Sequence, residues 1–340
     1  MFPSARPTPA RLADDTAHRP ARSRRAVGAP AAGRPARPAR GQRMTDDVTA
    51  DIDEHTITDA VVASFAATPD SRLREVLGAL VRGLHTAIRE VEPTLAEWEH
   101  AIDFLTRTGQ TCDDVRQEFV LLSDVLGISS LVENINHRKV GGATEATVLG
   151  PFHMTVSPPR RNGDSIDEVG GDQPCVITGR VLSVAGEPVP GASVDVWQAD
   201  GNGFYDVQQP DVQPAGNGRG LFTTDEEGRF WFRTTVPAHY PIPTDGPVGE
   251  LLAATDRAPF RPAHVHFIAD APGFVPVTTH VFIDGSPYLD ADAVFAVKRS
   301  LIRDFAPVDD AEQAARFGTV NPFRLAVIDL VVEPTGTPAP

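Results

Sequence analysis

The chain has 340 residues, enough to bury a sizeable core in one or two domains. Hydrophobic residues make up 41% and charged residues 23%, an ordinary globular balance, and no apolar run approaches the roughly 20 residues that span a bilayer. The net charge of −15 is uneven: residues 1–43 set ten arginines against Asp14 and Asp15, so the remainder is strongly acidic and unsuited to binding nucleic-acid phosphates.

Cys112 and Cys175 are the only cysteines and lack Cys-x-x-Cys spacing. That argues against a disulfide framework or a thiolate metal site and fits a cytoplasmic protein. Residues 1–43, rich in Ala, Pro and Arg, read as a disordered extension. Arg24-Arg25 is followed by no apolar stretch, and seven prolines oppose a transit-peptide helix. Met44 is a candidate start.

Residues 44–140 read as a helical domain. Leu73, Val76, Leu77, Leu80, Val81, Leu84 and Ile88 recur at helical spacing, which predicts one apolar helix face. Thr94 with Glu97 predicts a capping box opening a second helix through Trp98, Ile102 and Leu105. A third apolar set, Phe119, Leu121, Leu122, Val125 and Leu126, follows Asp113 and Asp114.

From Gly141 onward glycine and proline become frequent and β-branched residues alternate with polar ones. Residues 175–200 and 219–237 each read as strand, turn, strand, 263–285 supplies two more strands, and "RLAVIDLVVE" (324–333) a closing one. The predicted fold class is α+β: a helical N-terminal subdomain followed by an antiparallel β-sandwich over 141–340.

Positions two apart on a strand share a face. His264 and His266 in "RPAHVHF" (261–267) therefore converge, with Val265 in the opposite layer. Alone, the pair is open to two readings, a satisfied sheet pair or a metal site. Three tyrosines occur, Tyr205, Tyr240 and Tyr288. Tyr205 lies in the glycine-rich "DGNGFYDVQ" (200–208) and Tyr240 in the proline-rich "PAHYPIPTDGPVG" (237–249). Both segments read as loops, where binding residues tend to sit, although each tyrosine is also open to a structural reading.

Together these segments, with "GATEATVLGPFH" (142–153), "GASVDVWQADGNGFYDVQ" (191–208) and "FRPAHVHFIADAPGF" (260–274), resemble the intradiol ring-cleaving dioxygenases, the catechol 1,2-dioxygenase-like family. The resemblance covers about residues 60–333. It implies one Fe(III) per subunit, held by Tyr205, Tyr240, His264 and His266 with a hydroxide. The chemistry is consistent, because a hard ferric ion prefers anionic oxygen and two phenolates offset its charge. Binding then requires both phenols to lose their protons. The family mechanism has a diol displace the hydroxide and Tyr240, dioxygen attack the activated ring, and both oxygen atoms end in the product. Arg261 is implied to lie over the substrate ring and stabilise negative charge, a surface salt bridge being the plainer alternative.

By position in the family, Val148, Pro151, Phe152, Ile242, Pro243 and Val294 line the pocket. His280 stands where catechol-cleaving members usually carry glutamine. Residues 118–133 and 278–302 are most similar to the hydroxyquinol-cleaving branch, whose members convert benzene-1,2,4-triol to maleylacetate. Glu133 replaces an aspartate typical of that branch, and is read as a partner for the third hydroxyl or as a solvated helix charge. The alternatives are a catechol or chlorocatechol 1,2-dioxygenase giving cis,cis-muconates, a zinc hydrolase, and a non-catalytic β-sandwich binding module. The last arises because residues 179–197 also resemble adhesin repeats. The family resemblance further implies a homodimer formed through the helices, with a lipid bound there.

Overall fold

The computed structural model describes residues 51–336 except Val115, Val140, Met154 and Thr155, so the expected disordered extension lies outside the described residues. The described residues form two compact units, 51–101 and 102–336.

The first unit contains α1 (Ile57–Ser64) and α2 (Ser71–Val91). Asp70 caps α2 by accepting from Arg72 N at 2.8 Å and Leu73 N at 3.1 Å. Thr58 Oγ1 meets His85 Nδ1 at 3.0 Å and Arg89 Nε donates to Glu54 O at 3.0 Å, which joins α1 to α2. The apolar stripe read from the sequence is present on α2, but Leu73, Val76, Leu80, Leu84 and Ile88 are all exposed. The next helix, α3 (Leu95–Thr111), opens on the expected capping box: Thr94 N donates to Glu97 Oε2 at 2.7 Å and Glu97 N to Thr94 Oγ1 at 3.3 Å.

The second unit begins at Ile102. The third apolar set forms α4 (Glu118–Val125), which Gly127 separates from α5 (Ile128–Asn136). The chain then enters the strands β1 (Pro174–Ser183), β2 (Ser193–Gln198), β3 (Arg219–Thr223), β4 (Arg229–Thr235) and β5 (Tyr240–Pro241). Helix α6 (Pro247–Ala254) leads to β6 (Phe260–Arg261), β7 (His264–Asp270), β8 (Phe274–Val275) and β9 (Val277–Ile283). The chain ends with β10 (Ile302–Arg303), β11 (Ala306–Val308), α7 (Ala311–Phe317), β12 (Phe323–Val327) and β13 (Leu330–Pro334).

One sheet has the order β10-β9-β7-β2-β3; a second runs β11-β12-β1-β13-β8, with β4 also on β1; β5 and β6 form a separate ribbon. The expectation of purely antiparallel sheets needs correction, since β1 runs parallel to both β12 and β13, and β10 parallel to β9. Local turn signals reveal only pairs joined by short turns. Parallel partners need long crossovers, and here more than a hundred residues separate β1 from β12. The two strands within 175–200 likewise go to different sheets, as do those within 219–237. Their side chains meet in one core that includes Ile177, Phe230 and Phe232 from one sheet and Val194, Phe222, Val265 and Phe267 from the other.

The single closing strand is in fact two, interrupted at Ile328-Asp329. The break follows β1, which pairs with β12 over Cys175–Thr178 and with β13 over Val181–Ser183. Between them sits Gly179, where an added Cβ would stand 1.8 Å from the Ile328 carbonyl oxygen. Gly179→Ala should therefore force the backbone apart and cost about 3 kcal/mol, read as a lowered urea midpoint. An unchanged midpoint would show that the junction yields freely.

Candidate metal centre

Alternation on β7 turns Val265, Phe267 and Ala269 into the inter-sheet core. His264 and His266, both buried, point to the opposite face. Cross-strand register sets the row Arg219, Trp197, His266, His280 across β3, β2, β7 and β9. The His266 ring lies between two flat neighbours. Trp197 stacks on it at 4.5 Å with planes 14° apart, and His280 lies 4.1 Å away on its other flank. These contacts leave the imidazole little freedom to turn.

Both loop tyrosines come to this face and are buried, Tyr205 to 1% exposure and Tyr240 to 5%. Tyr205 begins a single 3-10 turn, its N–H donating to Gln208 Oε1 at 2.8 Å. Gly203, at φ 86°, lets this loop press against the other: a Cβ there would stand 3.0 Å from His239 O. Phe152 stacks on the Tyr205 ring at 4.3 Å and meets Tyr240 edge-on at 6.2 Å.

Four donor atoms close a circuit. Tyr205 Oη lies 3.1 Å from His266 Nε2, which lies 3.2 Å from His264 Nε2. That atom is 3.5 Å from Tyr240 Oη, which is 3.5 Å from Tyr205 Oη. Donors sharing an ion at about 2 Å are separated by about 2.8 Å at right angles and about 3.5 Å at 120°. The circuit falls in that range, so two phenol oxygens and two imidazole nitrogens fit one small ion. His264 Nδ1–H donates to the Pro262 carbonyl at 2.7 Å, which fixes the tautomer and presents the Nε2 lone pair to the site.

His264, His266 and His280 also have ring nitrogens within 4.8 Å of one another. His280 is engaged elsewhere, its Nδ1 with Thr147 Oγ1 and its Nε2 with Arg261 Nη1 at 3.4 Å. Arg261 is fully enclosed. Its Nε donates to Asp292 Oδ1 at 3.2 Å and its Nη1 lies 3.4 Å from His264 Nε2, while Nη2 has no partner among the described residues. Burial opposes its charge, but Asp292 and the two phenols outweigh that and hold the guanidinium protonated.

The remaining expected residues divide. Val148, Ile242 and Val294 share one apolar cluster with Leu121, Leu122 and Val125 of α4. Pro151 is exposed and Pro243 half-buried. Glu133 commits its carboxylate to His137 at 2.7 Å.

Three acidic groups were missed by the sequence reading. Asp292 braces Arg261. Asp124 on α4 feels both Arg261 and Asp292, and burial raises its carboxyl above the ordinary range. Asp206 accepts from Arg219 Nε at 2.8 Å and Nη2 at 2.7 Å in a pair buried directly beside Tyr205. Nothing in the sequence distinguishes these from surface aspartates; only the fold buries them.

Comparison with known proteins identifies the chain's relatives. Residues 151–325 match the family described as Dioxygenase, and residues 70–144 match Catechol dioxygenase N terminus. A hydroxyquinol 1,2-dioxygenase of Rhizobium sp. (strain MTP-10005) is 50% identical over 268 residues, 79% of this chain and 91% of that protein. A 6-chlorohydroxyquinol 1,2-dioxygenase of Cupriavidus pinatubonensis is 50% identical over 80% of this chain and 99% of its own length. Among solved structures, a hydroxyquinol 1,2-dioxygenase from Pseudomonas putida DLL-E4 superposes with TM-score 0.79 at 48% identity, covering 83% of this chain and 98% of that one. The fold and these matches define a ring-cleaving oxygenase. The chain belongs to the intradiol ring-cleavage dioxygenase family, whose members are non-haem iron enzymes.

Burial, then Arg261 or a neighbouring histidine, depresses the pKa of His264, His266 and His280 well below the ordinary imidazole value. Their unfolded forms titrate near about 6.5. Below that pH the unfolded chain binds more protons than the folded one, so stability falls as pH falls. Iron-free protein should lose stability progressively from about pH 7 toward about pH 5, with up to three protons taken up on unfolding. Urea unfolding across that range checks this, and His280→Gln should lower the uptake by one proton. A flat profile would mean that the histidines are not held neutral.

Proposed function

We propose that this protein cleaves hydroxyquinol between its adjacent hydroxylated carbons with dioxygen, giving maleylacetate, at one Fe(III) per subunit. Tyr205, Tyr240, His264 and His266 would hold the ion. The observation that carries this is the buried circuit of two phenols and two imidazoles at 3.1–3.5 Å. Two phenolates are unusual for zinc and suit a hard ferric ion. The bound ion would supply Lewis acidity that withdraws electron density from a chelated diol and activates it toward dioxygen.

The protein residues supply the rest. The histidines present neutral lone pairs. Burial, reinforced by Tyr240, pushes the Tyr205 phenol well above its ordinary pKa, so its ionisation depends on a cation bound beside it. Tyr240 would hold the ion as a phenolate and, when a diol binds, would be the base that takes up a substrate proton. Arg261, whose Nη2 is unpaired among the described residues, stabilises charge on the ring as it ketonises. Val148, Ile242 and Val294 form an apolar wall for a flat substrate, and Phe152 supports the tyrosines. His280 braces Arg261. Asp124, a half-buried carboxyl that accepts from Ser129 and feels the charge of Arg261, would meet the third hydroxyl ahead of Glu133, which His137 engages.

The relatives' names favour hydroxyquinol over catechol or chlorocatechol. The buried donor circuit disfavours a non-catalytic module. The exposed stripe on α2 supports the reading of residues 44–140 as a dimerisation domain of a homodimer, with a lipid bound against apolar helix faces. Two free cysteines support a cytoplasmic location, and among the described residues no helix is long and apolar enough to cross a membrane.

The purified protein should be red from tyrosinate-to-iron charge transfer and should turn over hydroxyquinol faster than catechol. Colourless, iron-free protein overturns the metal reading, and faster catechol turnover overturns the substrate. Arg261→Leu should keep the colour and lose about 100-fold in kcat. Asp124→Asn should lower the hydroxyquinol-to-catechol ratio of kcat/KM by about tenfold while Glu133→Gln leaves it unchanged. The reverse pattern would return the third-hydroxyl role to Glu133.

A further inference from the structure

Two of the chain's three tyrosines enter the proposed centre. The third, Tyr288, does not, yet its backbone holds φ 69°, a left-handed conformation that bulky residues rarely adopt. Its ring stacks on Phe260, with centroids 4.7 Å apart and planes 10° from parallel. His239 completes the group, 5.7 Å from the Phe260 ring and 5.4 Å from the Tyr288 ring. The Tyr288 hydroxyl makes no hydrogen bond among the described residues, so the ring itself is what the site holds. Glycine would take this backbone without strain. A tyrosine stays there because the stack offsets the cost.

His239 and Phe260 immediately precede Tyr240 and Arg261 in the chain. In the β5–β6 ribbon Tyr240 lies opposite Arg261 and Pro241 opposite Phe260. Side chains alternate along a strand, so the inner face presents buried Tyr240 and Arg261. The outer face presents His239 and Phe260 to Tyr288. A ladder of two residue pairs has little stability of its own. The segment 284–297 grips it from both sides. Inside, Asp292 accepts from Arg261 Nε at 3.2 Å, and Ala293 N donates to Phe260 O at 3.1 Å. Outside, this segment's grip among the described residues is the aromatic stack, while the backbone to either side is held by Ala238 N donating to Asp200 O at 3.1 Å and Ile242 N to Pro259 O at 2.9 Å.

We propose that Tyr288, with Phe260 and His239, is an aromatic clip that fixes the β5–β6 ribbon and so sets the placement of Tyr240 and Arg261. Tyr288 is a positioning residue. The proposal rests on the reading of Tyr240 as the displaceable iron ligand. With the ring removed, the ribbon loses the restraint on its Phe260 face while Tyr205, His264 and His266, carried on other elements, keep theirs.

The test compares iron-loaded wild type with Tyr288→Phe, Tyr288→Leu and Tyr288→Gly. The charge-transfer band is recorded without substrate and after anaerobic addition of hydroxyquinol, followed by kcat, KM and thermal unfolding. Tyr288→Phe should match wild type. The Leu and Gly variants should keep their iron, show a shifted resting band and lose about tenfold in kcat/KM. Hydrogen exchange of the His239, Tyr240 and Ile242 amides should quicken in both while that of β7 stays protected. Wild-type bands and kinetics in the Leu and Gly variants overturn the clip. So does a Tyr288→Phe variant as impaired as Tyr288→Gly, which would place the effect in the hydroxyl. If the truncated variants fail to fold, Phe260→Leu thins the stack from the other side; the same shift and loss are expected, and their absence overturns the proposal. The two readings fail separately: a colourless wild type defeats the metal centre and the clip together, whereas the clip alone fails only against a coloured, active wild type.

Discussion

Strand β7 separates two environments that cannot be exchanged. Val265, Phe267 and Ala269 lie in the apolar core between the sheets, and His264 and His266 lie on the face with the tyrosines. A slip of one residue would reverse both sets. Two imidazoles would then enter a core containing Phe230 and Phe232, each costing about 1–3 kcal/mol as an unpaired polar group. Unbroken pairing to β2 on one side and β9 on the other holds the register. The same register carries Trp197 and His280 to the flanks of His266. Core packing and donor geometry are two faces of one constraint.

The face so defined has to hold charge without water. Arg261 and Arg219 are both buried, and each has one carboxylate, Asp292 and Asp206. Buried ion pairs are weak evidence for stability, because desolvation takes back much of the attraction. Here each guanidinium also keeps an unpaired nitrogen among the described residues, Nη2 of Arg261 and Nη1 of Arg219. That is a poor arrangement for stability and a good one for meeting incoming anions. Both arginines favour the ionised form of the Tyr205 phenol and disfavour a protonated His266. In the proposed centre, two phenolates and a diol dianion would bring the negative charge that such surroundings favour.

Much of this was legible in the sequence, for local reasons. The alternation around Val265 put both histidines on one face, whereas Tyr205 and Tyr240 stayed open to a structural reading until the family resemblance joined them to the histidines, and the structure brings all four together. The capping box at Thr94 and Glu97 formed as read. What the sequence hid was long-range. Parallel pairing of β1 with β12 and β13 leaves no local signal. Asp124, Asp206 and Asp292 look like any surface aspartate until the fold closes over them. Glu133 stands out as a departure from a family pattern and its carboxylate meets His137, whereas Asp124, nine residues earlier and half-buried within the charge of Arg261, has no local signal at all.

The proposed centre asks one tyrosine to stay and a chemically identical one to leave, and the difference lies in how each is carried. Tyr205 stands at the head of a 3-10 turn, its N–H bonded to Gln208, and the next residue, Asp206, is tied to Arg219 and to the Gly216 N–H at 2.8 Å. Phe152 lies flat against its ring. Tyr240 has a ladder of two residue pairs, an edge-on contact with Phe152, and whatever grips the ribbon from outside. Identical phenols thus sit on supports of different construction. Under the proposed mechanism a diol would displace the phenol on the two-pair ribbon, and Arg261, Tyr240's partner across that ribbon, would meet the charge that arrives.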